Sequence, residues 1–146
     1  MSDTGAAAAA RDSSTQAVAA GLLAWVFPGV GHLYLRRFGK AGILMVAILV
    51  LFALGLAMDS RLSMHLGLED PLALLFSLAQ MGVGAPYVLA RYLGYENGLV
   101  TSPTYEYGNT FTAVAGLLNV LVVLDALDTA RGYKDVRRAA RGEEGR

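Results

Sequence analysis

Between Lys40 and Asp59 the chain runs AGILMVAILVLFALGLAM, eighteen residues without a charge. At about 1.5 Å per residue, a helix of that length is roughly 27 Å long, close to the hydrocarbon thickness of a bilayer. Ten of the eighteen are Leu, Ile, Val or Phe, each favouring insertion by about 0.3 to 0.6 kcal/mol. The segment therefore reads as a membrane-spanning helix. Three more charge-free windows, Ser13 to Leu35, Pro71 to Ala90 and Tyr107 to Leu124, are long enough to do the same. The pattern predicts an all-α integral membrane protein with four transmembrane helices, at about 15–35, 40–58, 71–92 and 110–130.

Composition agrees. Charged residues make up 16% of the chain and apolar residues 55%, against about 25% charged in a soluble domain. That is too little polar surface to coat a soluble four-helix fold. The net charge of zero hides a gradient, because six of the twelve Lys and Arg residues stand at or after Arg131. With no cysteine there is no disulfide, thiol nucleophile or Cys-based metal site, and two His residues at unrelated positions speak against zinc. No metal or cofactor is expected.

Residues 1–14 are small and polar and read as a disordered tail ahead of a membrane domain over 15–131. No small-x-small cleavage site precedes Pro28, so the first window reads as an uncleaved span that Ser13 or Ser14 can cap. Pro28, between Phe27 and Gly29, predicts a kink or break there, with a re-entrant hairpin as the alternative. Asp70-Pro71 is a strong helix start, an N-cap followed by a residue with no N–H to leave unpaired. The tail over 132–146 continues a basic stripe of Arg131, Lys134, Arg138 and Arg141, which would rest on anionic head groups. It is too short and too close to lipid to argue for nucleic acid. GVGHLYLRRFG from Gly29 and GVGAPYVLARYLG from Gly82 form an internal echo that needs gaps to align. Two hairpins related by an axis along the membrane normal would produce it.

Four spans place both termini on one side, with eight basic residues against four, yet the tight Arg36-Arg37-Phe38-Gly39-Lys40 turn falls on the poorer side. Such a turn is usually kept cytoplasmic, so orientation stays open. If one of the later windows failed to cross, the conflict would disappear.

Two groups of candidate residues follow. Ser77, Gln80, Gly84, Tyr87 and Arg91 recur at steps of three and four, a polar stripe along the third helix, and Thr112, Gly116 and Asn119 do the same on the fourth. Amides such as Gln80 and Asn119 at mid-window should turn inward and act as interhelical contacts, with a polar path between the two helices as the alternative. The second group is the interfacial turn. His32, Tyr34, Arg36, Arg37 and Lys40, joined by Arg138 and Arg141 of the tail, are candidate head-group contacts. Asp125 and Asp128 close the fourth helix, the first positioned to meet Arg61 and the second Arg131.

LLAWVFPGVGHLYLRRFGKAGIL, with Gly31, His32, Tyr34, Leu35 and Gly42 carrying the match, resembles the turn region of the two-transmembrane-helix domain family. It departs from that family in lacking an Asp-Arg-Phe triplet and in having Arg36 where glycine is usual. Across more of the chain, PGVGHLYLRRFGKAG and EYGNTFTAVAGLLNVLVVLDALDTARGYK resemble a bacterial family of small polytopic membrane proteins of unknown function. The resemblance implies a bacterial cytoplasmic membrane and supplies no catalytic residue. The expectation is a non-enzymatic scaffold, assembly or accessory subunit, in contact with lipids and with other membrane proteins or itself. A small-solute or ion permeation module using the polar stripe is the first alternative, and an interfacial lipid-handling enzyme around His32 the second.

Overall fold

The computed structural model describes residues 3–64 and 67–132. All of its regular structure is helical: α1 Asp3–Val26, α2 Val30–Tyr34, α3 Phe38–Ala57, α4 Pro71–Met81, α5 Ala85–Tyr92, a single 3-10 turn at Tyr95–Asn97, and α6 Tyr105–Ala130. Lys134, Arg138 and Arg141 of the tail lie outside the described residues.

Two helices, α3 and α6, are long and apolar enough to cross a membrane. They pack against each other in opposite directions. Lys40, in the first turn of α3, ion-pairs with Asp125 near the end of α6, while Gly55 near the end of α3 sits on Gly108 and Thr112 near the start of α6. Contact there is close: a Cβ on Gly55 would stand 2.8 Å from the Gly108 carbonyl oxygen. The pair thus has a Lys40 end and a Ser60 end, with Ser60 just past α3.

The third window is not one straight helix. α4 starts where the sequence predicts, with the Asp70 carboxylate accepting from the Leu72 and Ala73 amides at 3.1 Å and Pro71 at the first helical position. It stops at Met81, and α5 leaves at 103° to it. The cause is local. Gly84 takes φ 85°, ψ −133°, a region closed to side chains, and its Cα faces the Trp25 carbonyl so closely that a Cβ has no room. Both arms lead to the Ser60 end: Leu72 and Ala73 share a cavity wall with Tyr105 and Asn109, and Arg91 Nη1 donates to the Leu62 carbonyl at 3.2 Å. The turn between them reaches halfway along α6, where Asn119 Nδ2 donates to the Gly82 carbonyl at 2.9 Å.

The first window doubles back as well, from the opposite end. Gly21 of α1 lies against Leu127, and the Trp25 and Val26 carbonyls meet Gly84 at the other hairpin's tip. The chain then turns through Pro28 and Gly29, the latter at φ 82°, and α2 brings His32 back to Asp125. α1 as described opens at Asp3, ahead of the Ser13 and Ser14 caps read from sequence.

Four uninterrupted spans are therefore not seen. The described residues hold two helices that can cross, or three if the bent α4–α5 pair is counted as one. The echoing segments enter from opposite ends of the α3–α6 pair, not from the same end as an axis along the membrane normal requires.

The interior is made of small residues and a few large ones. Ala17, Ala20, Ala24 and Ala115 are completely buried, beside Ile48, Phe52, Val83, Tyr87 and Val122. The outer faces are apolar: Ile43 is 73% exposed, Leu72 79% and Leu121 60%.

Candidate functional site

Except for Asn119, the buried polar side chains lie at the two ends of the α3–α6 pair, His32 at one and Ser60, Ser77, Gln80, Asn109 and Thr112 at the other. At the Ser60 end, the segment Ser60, Arg61, Leu62 and Ser63 crosses over α4, α5 and α6 and is held by their side chains. Gln80, with no exposed surface, uses both sides of its amide. Its Oε1 accepts from the Ser63 amide at 3.0 Å, and its Nε2 donates to the Arg61 carbonyl at 3.2 Å and to Thr112 Oγ1 at 2.9 Å. Ser60 Oγ lies 3.1 Å from Asn109 Oδ1 and 3.0 Å from Thr112 Oγ1, and the Arg61 amide donates to the same Asn109 oxygen at 3.0 Å. Ser77 donates to Ser63 Oγ at 3.2 Å, and the Tyr87 hydroxyl donates to the Ser63 carbonyl at 2.6 Å. Arg91 adds an ion pair with Glu96 at 3.0 Å.

Ser77, Gln80, Tyr87 and Arg91 thus meet on one stretch of backbone although the helix expected to align them is bent. The bend keeps them together: the arms of the hairpin flank the 60–64 segment and each points its polar side at it. A loop of unpaired N–H and C=O groups is tolerable in an apolar setting only when so satisfied. Asn119 stands apart at the hairpin tip, donating to the Gly82 carbonyl, while its own Oδ1 is buried with no hydrogen-bond partner. Ser60 and Ser63, which tie this network to the loop, were not legible as site residues, since nothing in the spacing of a short polar loop marks which hydroxyls turn inward.

At the Lys40 end, one carboxylate gathers two bases. Asp125 Oδ2 lies 2.7 Å from His32 Nε2 and 2.9 Å from Lys40 Nζ. His32 is completely buried, which corrects its reading as a head-group contact, while Lys40 and Asp125 are half-exposed. The pairing of Asp125 with Arg61 is corrected too, because those residues sit at opposite ends of α6. Tyr34 and Arg36 are exposed and Arg37 partly so. Among the described residues no ion pair forms at Arg36, Arg37 or Arg131, and none joins Asp128 to Arg131. Arg36 holds a positive φ of 57°, at the tight turn from α2 into α3.

Between the two ends an apolar groove of about 640 Å³ runs along the seam of α3 and α6, from Lys40 and Asp125 down to Ile48 and Leu118. The smaller cavities at the Ser60 end, about 260 and 550 Å³, are bordered by Arg61 and Ser63. Gln80 borders neither.

The sequence profile of a family described as "Family of unknown function (DUF6677)" matches residues 19–138. No curated protein and no solved structure matches the chain.

Proposed function

Because the chain belongs to the DUF6677 family of unknown function, matched over residues 19–138, we propose that it is a non-enzymatic scaffold or accessory subunit embedded in a bacterial cytoplasmic membrane. In this reading α3 and α6 cross the bilayer, and the α1–α2 and α4–α5 hairpins enter from opposite faces as re-entrant elements. The exposed apolar faces of α3, α4 and α6 support the embedding, since water would oppose so much contiguous apolar surface. Charge supports the orientation. Among the described residues Arg36, Arg37, Lys40 and Arg131 stand at the Lys40 end, against Arg61 and Arg91 at the other. The positive-inside rule then makes the Lys40 end cytoplasmic.

The observation that carries the scaffold reading is the closure of the Gln80 network. A path for solutes needs polar groups turned to an opening, whereas Gln80 and Thr112 are wholly buried and spent on neighbouring backbone and side chains. Hydrogen bonds of this kind contribute roughly 0.6 to 2 kcal/mol each within a membrane. Photo-crosslinkers placed at the exposed positions Ile43, Leu72 and Leu121 in native membranes are expected to give discrete adducts with a second protein or a second copy. Monomer at every position would overturn the proposal.

A further inference from the structure

We infer that the groove between α3 and α6 is a specific site for one anionic phospholipid of the cytoplasmic leaflet, which takes an acyl chain along the seam and its phosphate at the Arg36-Arg37-Lys40 turn. The inference rests on the membrane reading above and goes beyond it, because lipid that merely surrounds a protein has no preferred seat.

Shape comes first. The groove is a dent in the helix pair, floored by Ile48 and Val122, which are 1% and 5% exposed, and walled by Ile43, Leu44 and Leu121. From Lys40 to Ile48 it follows two turns of α3, about 12 Å of helix rise, with no polar side chain below its mouth. A polar solute gains nothing there, and a flexible hydrocarbon chain gains contacts along the whole length.

Charge identifies the head group. Lys40 and Asp125 line the mouth itself, and the other charged residues described at this end of α2, α3, α6 and the turn between α2 and α3 are Arg36, Arg37, Asp128 and Arg131. Asp125 is engaged by both His32 and Lys40, and Arg36 and Arg37 are paired with no carboxylate among the described residues. The turn that leads into α3 beside the mouth is left with cations that a phosphate can bridge, at the end of the groove where a lipid whose chain lies in it presents one. Arginine suits that role through its fork of donors.

The test uses the full chain with its only tryptophan, Trp25, changed to Phe and Leu121→Trp placed on the groove wall. In phosphatidylcholine nanodiscs, a minor fraction of brominated phosphatidylglycerol should quench that tryptophan with an apparent affinity roughly thirtyfold above that of brominated phosphatidylcholine, the size expected from about 1 kcal/mol for each of Arg36 and Arg37. Arg36→Gln with Arg37→Gln should abolish the preference, while Arg61→Gln at the opposite end should preserve it. Equal quenching by the two lipids would overturn the site and leave the membrane reading intact. No quenching by either would overturn both. As a measurement free of substitutions in the groove, native mass spectrometry of the unaltered chain in mild detergent should show one retained phosphatidylglycerol, and its absence under conditions that keep the protein folded would count against the site.

Discussion

The α1–α2 and α4–α5 hairpins are built on one register and held by different forces. Aligned on the positive-φ glycines that open their second arms, Gly29 and Gly84, the segments match without a gap: His32 with Tyr87, Arg36 with Arg91, Gly39 with Gly94. In each, a buried ring three residues past the glycine bonds to a polar group of another element. The arginine seven past the glycine marks the return to the surface. There the likeness stops. The first hairpin packs by absence of bulk, with Ala17, Ala20, Ala24 and Gly31 letting α1, α2 and α6 approach, and closes with the half-exposed Asp125 clasp. The second is laced to the 60–64 segment by hydrogen bonds from Ser77, Gln80, Tyr87 and Arg91. Small-residue packing allows one arrangement by sterics, whereas a buried polar network also penalises every other arrangement, because its groups would be left unpaired.

The difference can be broken at graded cost. The tips meet where Gly84 faces the Trp25 carbonyl, so Gly84→Ala combines a forbidden φ with a clash against backbone and should lower stability by about 3 kcal/mol or more. The control at an open position, Gly39→Ala, meets nothing within 4 Å and should be neutral. Thermal unfolding in detergent compares the two. Gln80→Leu should cost about 2 to 4 kcal/mol, since it strands the Ser63 amide and the Arg61 carbonyl and removes a donor to Thr112. Asn119→Leu, which removes an amide whose acceptor is already unpaired, should cost less, and the order of the two in the same assay checks the network. Asp125→Asn should cost about 1 kcal/mol, because the Lys40 partner is half-exposed and solvent weakens the pair. The smallest effect sharpens the comparison most. Arg91→Gln loses contacts to Leu62 and Glu96 and should cost about 1 kcal/mol, while Arg36→Gln, paired with nothing described, should leave unfolding unchanged.

How far the sequence speaks depends on what each signal encodes. The Ala41–Met58 run, the Asp70-Pro71 start and the break at Pro28 are local, and α3, α4 and the end of α1 follow them. Direction is not local. A re-entrant hairpin and a crossing helix need the same length of apolar residues, so the window over 71–92 reads as a span although Gly82, Val83 and Gly84 reverse it. The pairing of Asp125 with Arg61 fails for the same reason, since only four spans would bring the 59–70 loop and the end of the last helix to one face. With the reversal, that end faces Lys40. The gap in the echo arose from aligning Gly82 with Gly29, and only the backbone angles reveal that Gly84 is the equivalent residue.

Opposed hairpins on two crossing helices are the centre of this account, and cysteine accessibility in intact cells tests them directly because the chain has no cysteine of its own. Single cysteines at Ser14, Gly39, Ser63, Ser102 and Ala140 are expected to divide so that Ser63 and Ser102 react with an impermeant reagent from outside, while Ser14, Gly39 and Ala140 react only after the membrane is opened. Labelling that groups Ser63 with Ser14 and Ala140, and sets Gly39 and Ser102 on the other face, would mean four crossings and would contradict it.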